Sequence, residues 1–265
     1  MTPSPPIIFD RAARILRRDR LARGAASPLE QGIADELLER LDAVKRTFAT
    51  ALVINTGSGL LAHALRQRGM AVIETDHGAV YAARASGVFC DEDRFAVASD
   101  SFDLVVMPTG LDTVDDVPGA LIAARRVLST GGLFLGCLAG APSLHTLRDA
   151  LRAADAGEDH GVARLHPQID VRAAGDLLMR AGFALPVADA ETLRLSYKSF
   201  DRLIADIRSC GLTNVLAQRR GVSRRWRDAA AAAFNRSASD NGTIVETATL
   251  LVLTGWAPEP RAALT

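Results

Sequence analysis

The sequence predicts an α/β protein, a doubly wound parallel sheet with helices on both faces. Three observations carry that expectation. Short apolar runs alternate with segments of helical periodicity over residues 49–139. The apolar runs are continuous rather than alternating, as in strands buried on both faces. The chain has 265 residues, 48% of them apolar, enough to bury a sizeable core. Aromatics are only 5%, so Leu, Val, Ile and Ala must build that core.

The opening, proline-rich at residues 3–6, reads as loose. The charges from Phe9 to Arg23 suggest a helix lying on the surface. Ser27 then stands as an N-cap, with Pro28 at the first helical position and Glu30 at capping-box spacing. Ile33, Leu37, Leu38 and Leu41 follow at helical spacing. ATALVIN, MAVIETD, SFDLVVMP and GLFLGCLA read as buried strands. Between them lie the helical patterns LLAHALRQRG, GAVYAARASG and DDVPGALIAARRVLSTGG, the last closed by a glycine pair. Beyond residue 140 come two more helices, a strand in FALPVADAETLRLSY, two further helices and a long last strand, TIVETATLLVLTGWA.

Lys plus Arg and Asp plus Glu balance at 31 each, which gives no whole-protein reason to expect nucleic acid or an anionic membrane as partner. Cys90, Cys137 and Cys210 are far apart, and their odd number argues against a disulfide frame or a zinc site. No apolar run reaches the roughly 18 residues needed to span a bilayer, and no secretion signal is visible. The expectation is a soluble, cytoplasmic protein without a metal.

LVINTGSGL, residues 52–60, places Gly57 and Gly59 just after a strand, where a backbone can approach a ligand and the next helix offers free N–H groups. The second strand ends at Asp76, about twenty residues on, and a carboxylate there can accept both hydroxyls of a ribose. Asp91, Glu92 and Asp93 precede the third strand of this reading, where a loop can meet an adenine edge. His77 reads as a solvated loop residue. RRGVSRRWRD, residues 219–228, reads as a charged helix start with Trp226 turned inward, or as a docking surface for an acidic carrier or client protein.

SFDLVVMPTGLDTVDDVPGALIAARRVLSTGGLFLGCL resembles the class I S-adenosylmethionine-dependent methyltransferases. IIFDRAARILRRDRLA, GAPSLHTLRDALRAAD, HPQIDVRAAGDLLMRAGF and GTIVETATLLVLTGWA are similar to segments of a methyltransferase-like branch of complex I assembly factors that hydroxylate an arginine. The malonyl-acyl-carrier-protein methyltransferases of biotin synthesis are close to that branch. The resemblance implies a Rossmann-like seven-stranded, mostly parallel sheet whose last strand is antiparallel. It also implies an N-terminal helical segment at 1–48 and a methyltransferase-like domain at 49–265, with a helical insertion at about 199–235. It implies S-adenosylmethionine as cofactor, with Asn55, Gly57 and Gly59 along its methionine part, Asp76 at the ribose, and Asp91 with Glu92 at the adenine. Asp112 and Tyr197 are the substrate-side candidates, with a turn residue as the other reading of Asp112 and core packing the preferred reading of Tyr197.

Two departures from the family pattern stand in the first loop. Val53 occupies the position of an acid that helps organise the loop, and Asn55 that of its first glycine. Asparagine tolerates positive φ better than other non-glycine residues, so the turn can survive. Three functions are compatible with these residues: a methyltransferase, an arginine-hydroxylating or chaperoning assembly factor, and an interaction protein without cofactor.

Overall fold

The computed structural model describes residues 6–22, 27–93, 97–156 and 163–259. Most of the proline-rich opening lies outside them.

Two helices come first, α1 (Arg11–Leu21) and α2 (Pro28–Asp42). Asp10 caps α1, accepting from Ala13 N at 3.0 Å. Ser27 caps α2, accepting from Glu30 N at 3.2 Å, with Pro28 in the first turn. The α/β alternation follows: β1 (Thr50–Ile54), α3 (Leu60–Gln67), β2 (Ala71–Asp76), α4 (Ala79–Arg84), β3 (Val88–Phe89), β4 (Phe102–Met107), a 3-10 turn (Leu111–Thr113), α5 (Val117–Val127) and β5 (Leu128–Gly140). The chain continues with α6 (His145–Asp155), α7 (Val171–Arg180), β6 (Ala184–Tyr197), α8 (Phe200–Ser209), α9 (Arg224–Asn235) and β7 (Ile244–Trp256).

Among the described residues, seven strands form one sheet in the order β3-β2-β1-β4-β5-β7-β6. Pairings from β3 to β5 are all parallel, for example Leu52 with Ile73 on one side and with Val105 on the other. β7 runs antiparallel to both β5 and β6, as the family resemblance implied.

Side chains on a strand alternate between faces, and here both faces are buried. Leu52 and Ile54 join Val105, Met107, Phe134 and α5 and α7 on one side. Ala51 and Val53 join Leu104, Val106, Leu135 and α2 and α3 on the other. This explains the continuous apolar runs. A third cluster packs α6, α8 and α9 around Phe200, Trp226 and Phe234. Trp226 does turn inward, and its indole N–H donates to Asp155 at 2.7 Å.

Two local readings change. The glycine pair Gly131–Gly132 does not close α5. That helix ends at Val127, and β5 begins at Leu128, so the pair lies inside the strand at a register shift against β4. β3, two residues long, gives no periodic signal and is absent from the sequence reading.

Candidate functional site

β1 leads to β2 and β3 on one side of the sheet, and β4 leads to β5 on the other. The cleft at such a reversal, outside the carboxyl ends of the strands, is where an open α/β sheet has room for a ligand. A cavity lies there, lined by Asn55 and Thr56 after β1, His77 after β2, and Thr109 and Asp112 after β4. α1 and α2 supply another wall through Arg14, Arg17, Arg18 and Glu30.

The first loop keeps its turn. Asn55, Gly57 and Gly59 have φ of 61°, 63° and 84°. Glycine adopts this left-handed region freely, and asparagine is among the residues that tolerate it. A side chain at Gly57 would also collide with the Glu30 carboxylate. That carboxylate accepts from Ser58 N at 2.6 Å, so Glu30 serves the glycine loop. Val53 is buried among apolar residues of the α2–α3 face.

Asp76, the last residue of β2, is fully buried. Its Oδ1 accepts from Arg18 Nε at 3.0 Å and Gly78 N at 2.7 Å. Its Oδ2 accepts from Arg18 Nη2 at 2.9 Å and Gly57 N at 3.1 Å. Arg18 also donates to the Asn55 carbonyl at 3.2 Å, and its guanidinium carbon lies 4.8 Å from the Tyr81 ring centroid.

Glu92 is fully buried as well. Its Oε1 accepts from Arg14 Nη2 at 2.6 Å and from the Asn55 amide, and lies 3.1 Å from His77 Nδ1. Burial pushes this carboxyl up, but hydrogen bonding and charge from His77, the charge of Arg14 and the Asn55 amide outweigh it. The group is held well below the usual carboxylate range. Glu92 Oε2 is buried with no hydrogen-bond partner among the described residues. Asp91 pairs with Arg11 and lies 3.6 Å from Arg14. Asn55 also donates to the Thr109 carbonyl at 3.1 Å, and its Oδ1 lies 2.8 Å from His77 Nδ1. Its side chain therefore links the ends of β1, β2 and β4, which glycine could not do.

Of the residues the sequence singled out, Asn55 and Asp112 line the cavity, while Asp76 and Glu92 lie buried behind it, bonded to Gly57 N and to the Asn55 amide respectively, and Asp91 lies beside Arg14. Tyr197 stands elsewhere, in the satellite core of α6, α8 and α9, where burial and Asp206 push its phenol up to about 12. His77 is a buried member of the site, not a solvated loop residue, because Asn55 and Glu92 satisfy its ring. α1 does not simply lie on the surface: it turns Arg14 inward, 6% exposed, against Glu92. Arg11, Arg14 and Arg18 were missed as site residues. Their spacing of three and four was the available signal, since it puts them on one helix face.

This sheet order, glycine loop and strand-end acid define a class of protein. The methyltransferase domain family matches residues 52–136. The chain belongs to the class I S-adenosylmethionine-dependent methyltransferase superfamily. It is 30% identical to the malonyl-[acyl-carrier protein] O-methyltransferase of Laribacter hongkongensis, over 96% of this chain and 88% of that protein. It is 28% identical to the mitochondrial arginine-hydroxylase NDUFAF5 of Rattus norvegicus, over 94% of this chain and 77% of that protein. Among solved structures, the YcgJ protein of Bacillus subtilis superposes with a TM-score of 0.57 at 16% identity, covering 85% of this chain and 99% of that one. The 1,6-didemethyltoxoflavin-N1-methyltransferase of Burkholderia thailandensis, solved with S-adenosylhomocysteine, gives 0.52 at 14% identity, covering 97% and 94%. At these identities the structural likeness is one of fold. Among the described residues, no helix is long and apolar enough to cross a membrane.

Proposed function

We propose that this chain binds S-adenosylmethionine in the cleft and transfers a methyl group to a nucleophilic acceptor. The observation that carries the reading is Asp76, a buried carboxylate at the end of β2 bonded to the left-handed Gly57 of the first loop. The fit is supported by Glu92, whose unpartnered, buried Oε2 is an acceptor suited to the exocyclic amino group of an adenine. When bound, the cofactor supplies a methyl group already activated on a positively charged sulfur. The chain itself has to hold and orient. Asp76 would accept from ribose hydroxyls, Asp91 and Glu92 would face the adenine, and Asn55, Gly57 and Gly59 would flank the methionine part. Asp112 lies on the cavity wall, on the acceptor side of this reading. Catalysis of this kind rests on alignment and exclusion of water, and needs no strong general base.

The test is calorimetric titration with S-adenosylmethionine and S-adenosylhomocysteine, alongside Asp76→Asn with its fold checked by circular dichroism. Saturable binding that Asp76→Asn weakens at least tenfold is expected. No binding by the folded wild-type chain would sink the reading.

A second reading is favoured by one observation: within this chain Asp76, Asp91 and Glu92 already have arginine partners. In that reading the protein is an assembly factor of the kind the sequence resembles, hydroxylating an arginine on a client or chaperoning it without chemistry. An oxygen-dependent mass gain on a client protein would separate hydroxylation from both methyl transfer and chaperoning. A client or a carrier protein would be the partner.

A further inference from the structure

We propose that α1 is a plug in the cofactor cleft: Arg18 holds Asp76, the acid a ribose would use, and Arg11 and Arg14 anchor the helix on Asp91 and Glu92, so ligand entry requires α1 to leave. This rests on the cofactor reading above and adds its regulation.

The three arginines follow each other at spacings of three and four, on one helix face. Each meets a different member of the acidic set: Arg11 meets Asp91, Arg14 meets Glu92, and Arg18 meets Asp76. At Asp76 both oxygens already accept two hydrogen bonds, and Arg18 supplies one to each. A ribose diol needs those same acceptor positions, so Arg18 and a ribose exclude one another. The glycine loop is filled in the opposite sense. The Glu30 carboxylate of α2 occupies Ser58 N, a donor of the kind that cradles an anionic ligand group.

Little of α1 itself belongs to an apolar core. Its buried residues are only Ala13 and Arg14. Beyond the acids, its start is anchored by polar contacts and by a small apolar cluster in which Phe9 and Ala13 pack on Val215 and Leu216. Asp115 Oδ1 accepts from Ile8 N at 2.8 Å and Phe9 N at 2.9 Å, just before the helix. Asp10 N donates to the Val215 carbonyl at 2.8 Å, and Asp19 accepts from Val80 N at 2.9 Å. A site that is competent only when α1 is out binds with an affinity reduced by the fraction of open molecules.

The experiment uses the full chain and S-adenosylhomocysteine. Asp115→Ala loosens the entry to α1 and leaves every acid and arginine of the cleft in place. It should bind the ligand at least threefold more tightly than the wild type. Hydrogen–deuterium exchange on the wild type gives a second readout: amides of α1 should exchange faster with ligand bound. Equal or weaker binding by Asp115→Ala, or slower exchange of α1 with ligand, would overturn the plug and make α1 part of the closed site, while the cofactor reading stands. No binding by either folded protein would overturn the cofactor reading and the plug with it.

Discussion

Replacing Arg14 by methionine keeps an apolar stem of similar length and removes the charge from a pair in which Arg14 is 6% exposed and Glu92 0%. Removing one partner of a buried ion pair costs about 3–5 kcal/mol, because the other charge stays buried. Glu92 keeps Asn55 and His77, which argues for the lower end. The lost bond from Arg14 Nε to Thr113, 3.2 Å long, adds about 0.5–1 kcal/mol. The sum is about 3–4 kcal/mol, or a fall in Tm of about 6–16 °C at about 2–4 °C per kcal/mol for a chain of this size. Glu92→Gln alone should cost about 2 kcal/mol, since Arg14 keeps Asp91 nearby. If the two groups act as a pair, the double variant recovers at least about 1.5 kcal/mol relative to the sum of the singles. Urea denaturation followed by circular dichroism measures all four proteins. A loss below about 0.5 kcal/mol for Arg14→Met, or strict additivity in the cycle, would refute the claim that this pair docks α1.

The same carboxylate sets an acid limb. Glu92 is held below its ordinary value of 4.5 in the folded chain, so its contribution is complete above that value and is lost as the pH falls below it. Denaturation midpoints from pH 6 to pH 3 should therefore fall less steeply for Glu92→Gln than for the wild type, and parallel curves would count against the assignment. Gly57→Ala puts a side chain at φ 63° and against Glu30, and should lower stability by about 2 kcal/mol or more in thermal melts. Asn55→Gly relieves a positive φ but removes the amide's bonds to Glu92 and Thr109, for a net loss of about 1–2 kcal/mol by the same assay. Asp155→Ala frees both Arg164 and the Trp226 indole, and should speed tryptic cleavage after Arg164 while leaving ligand binding unchanged.

The order of strands and helices through β5 was legible because each strand is buried on both faces and each helix presents one apolar face, so the period changes visibly along the chain. The position of Asp76 at the end of β2 was legible because the apolar run before it stops there. β3 was not, because two residues carry no period. The arginines of α1 were not, because a charged helix face looks the same whether water or carboxylates meet it. The partners that decide between these lie 58 residues away for Arg18 and 78 for Arg14. His77 was misread for the same reason: its burial depends on Asn55 and Glu92, whose approach only the folded sheet creates. Tyr197 packs in a core, the reading its aromatic side chain favoured; its substrate-side alternative fails because β6 lies at the far edge of the sheet and runs on into the satellite core.

The two departures in the first loop acquire a common explanation from these contacts. With Val53 buried in the α2–α3 face, β1 offers no carboxylate to the loop. α2 offers one instead, as Glu30 reaches Ser58 N and packs against the only side of Gly57 that a side chain would use. Glu30 thereby leaves the capping box its spacing suggested, and Ser58, not the start of α2, receives its charge. Asn55 likewise does more than stand in for a glycine. It holds the required left-handed backbone while its amide joins Glu92 and Thr109 across the reversal point of the sheet. The loop keeps its shape because neighbouring elements now supply the anion and the cross-links that the loop's own sequence lacks. The consequence is a coupling that the family pattern does not require: whatever moves α1 and α2 also moves the groups that shape the glycine loop. Under the plug proposal, loop geometry and cleft access would then change together.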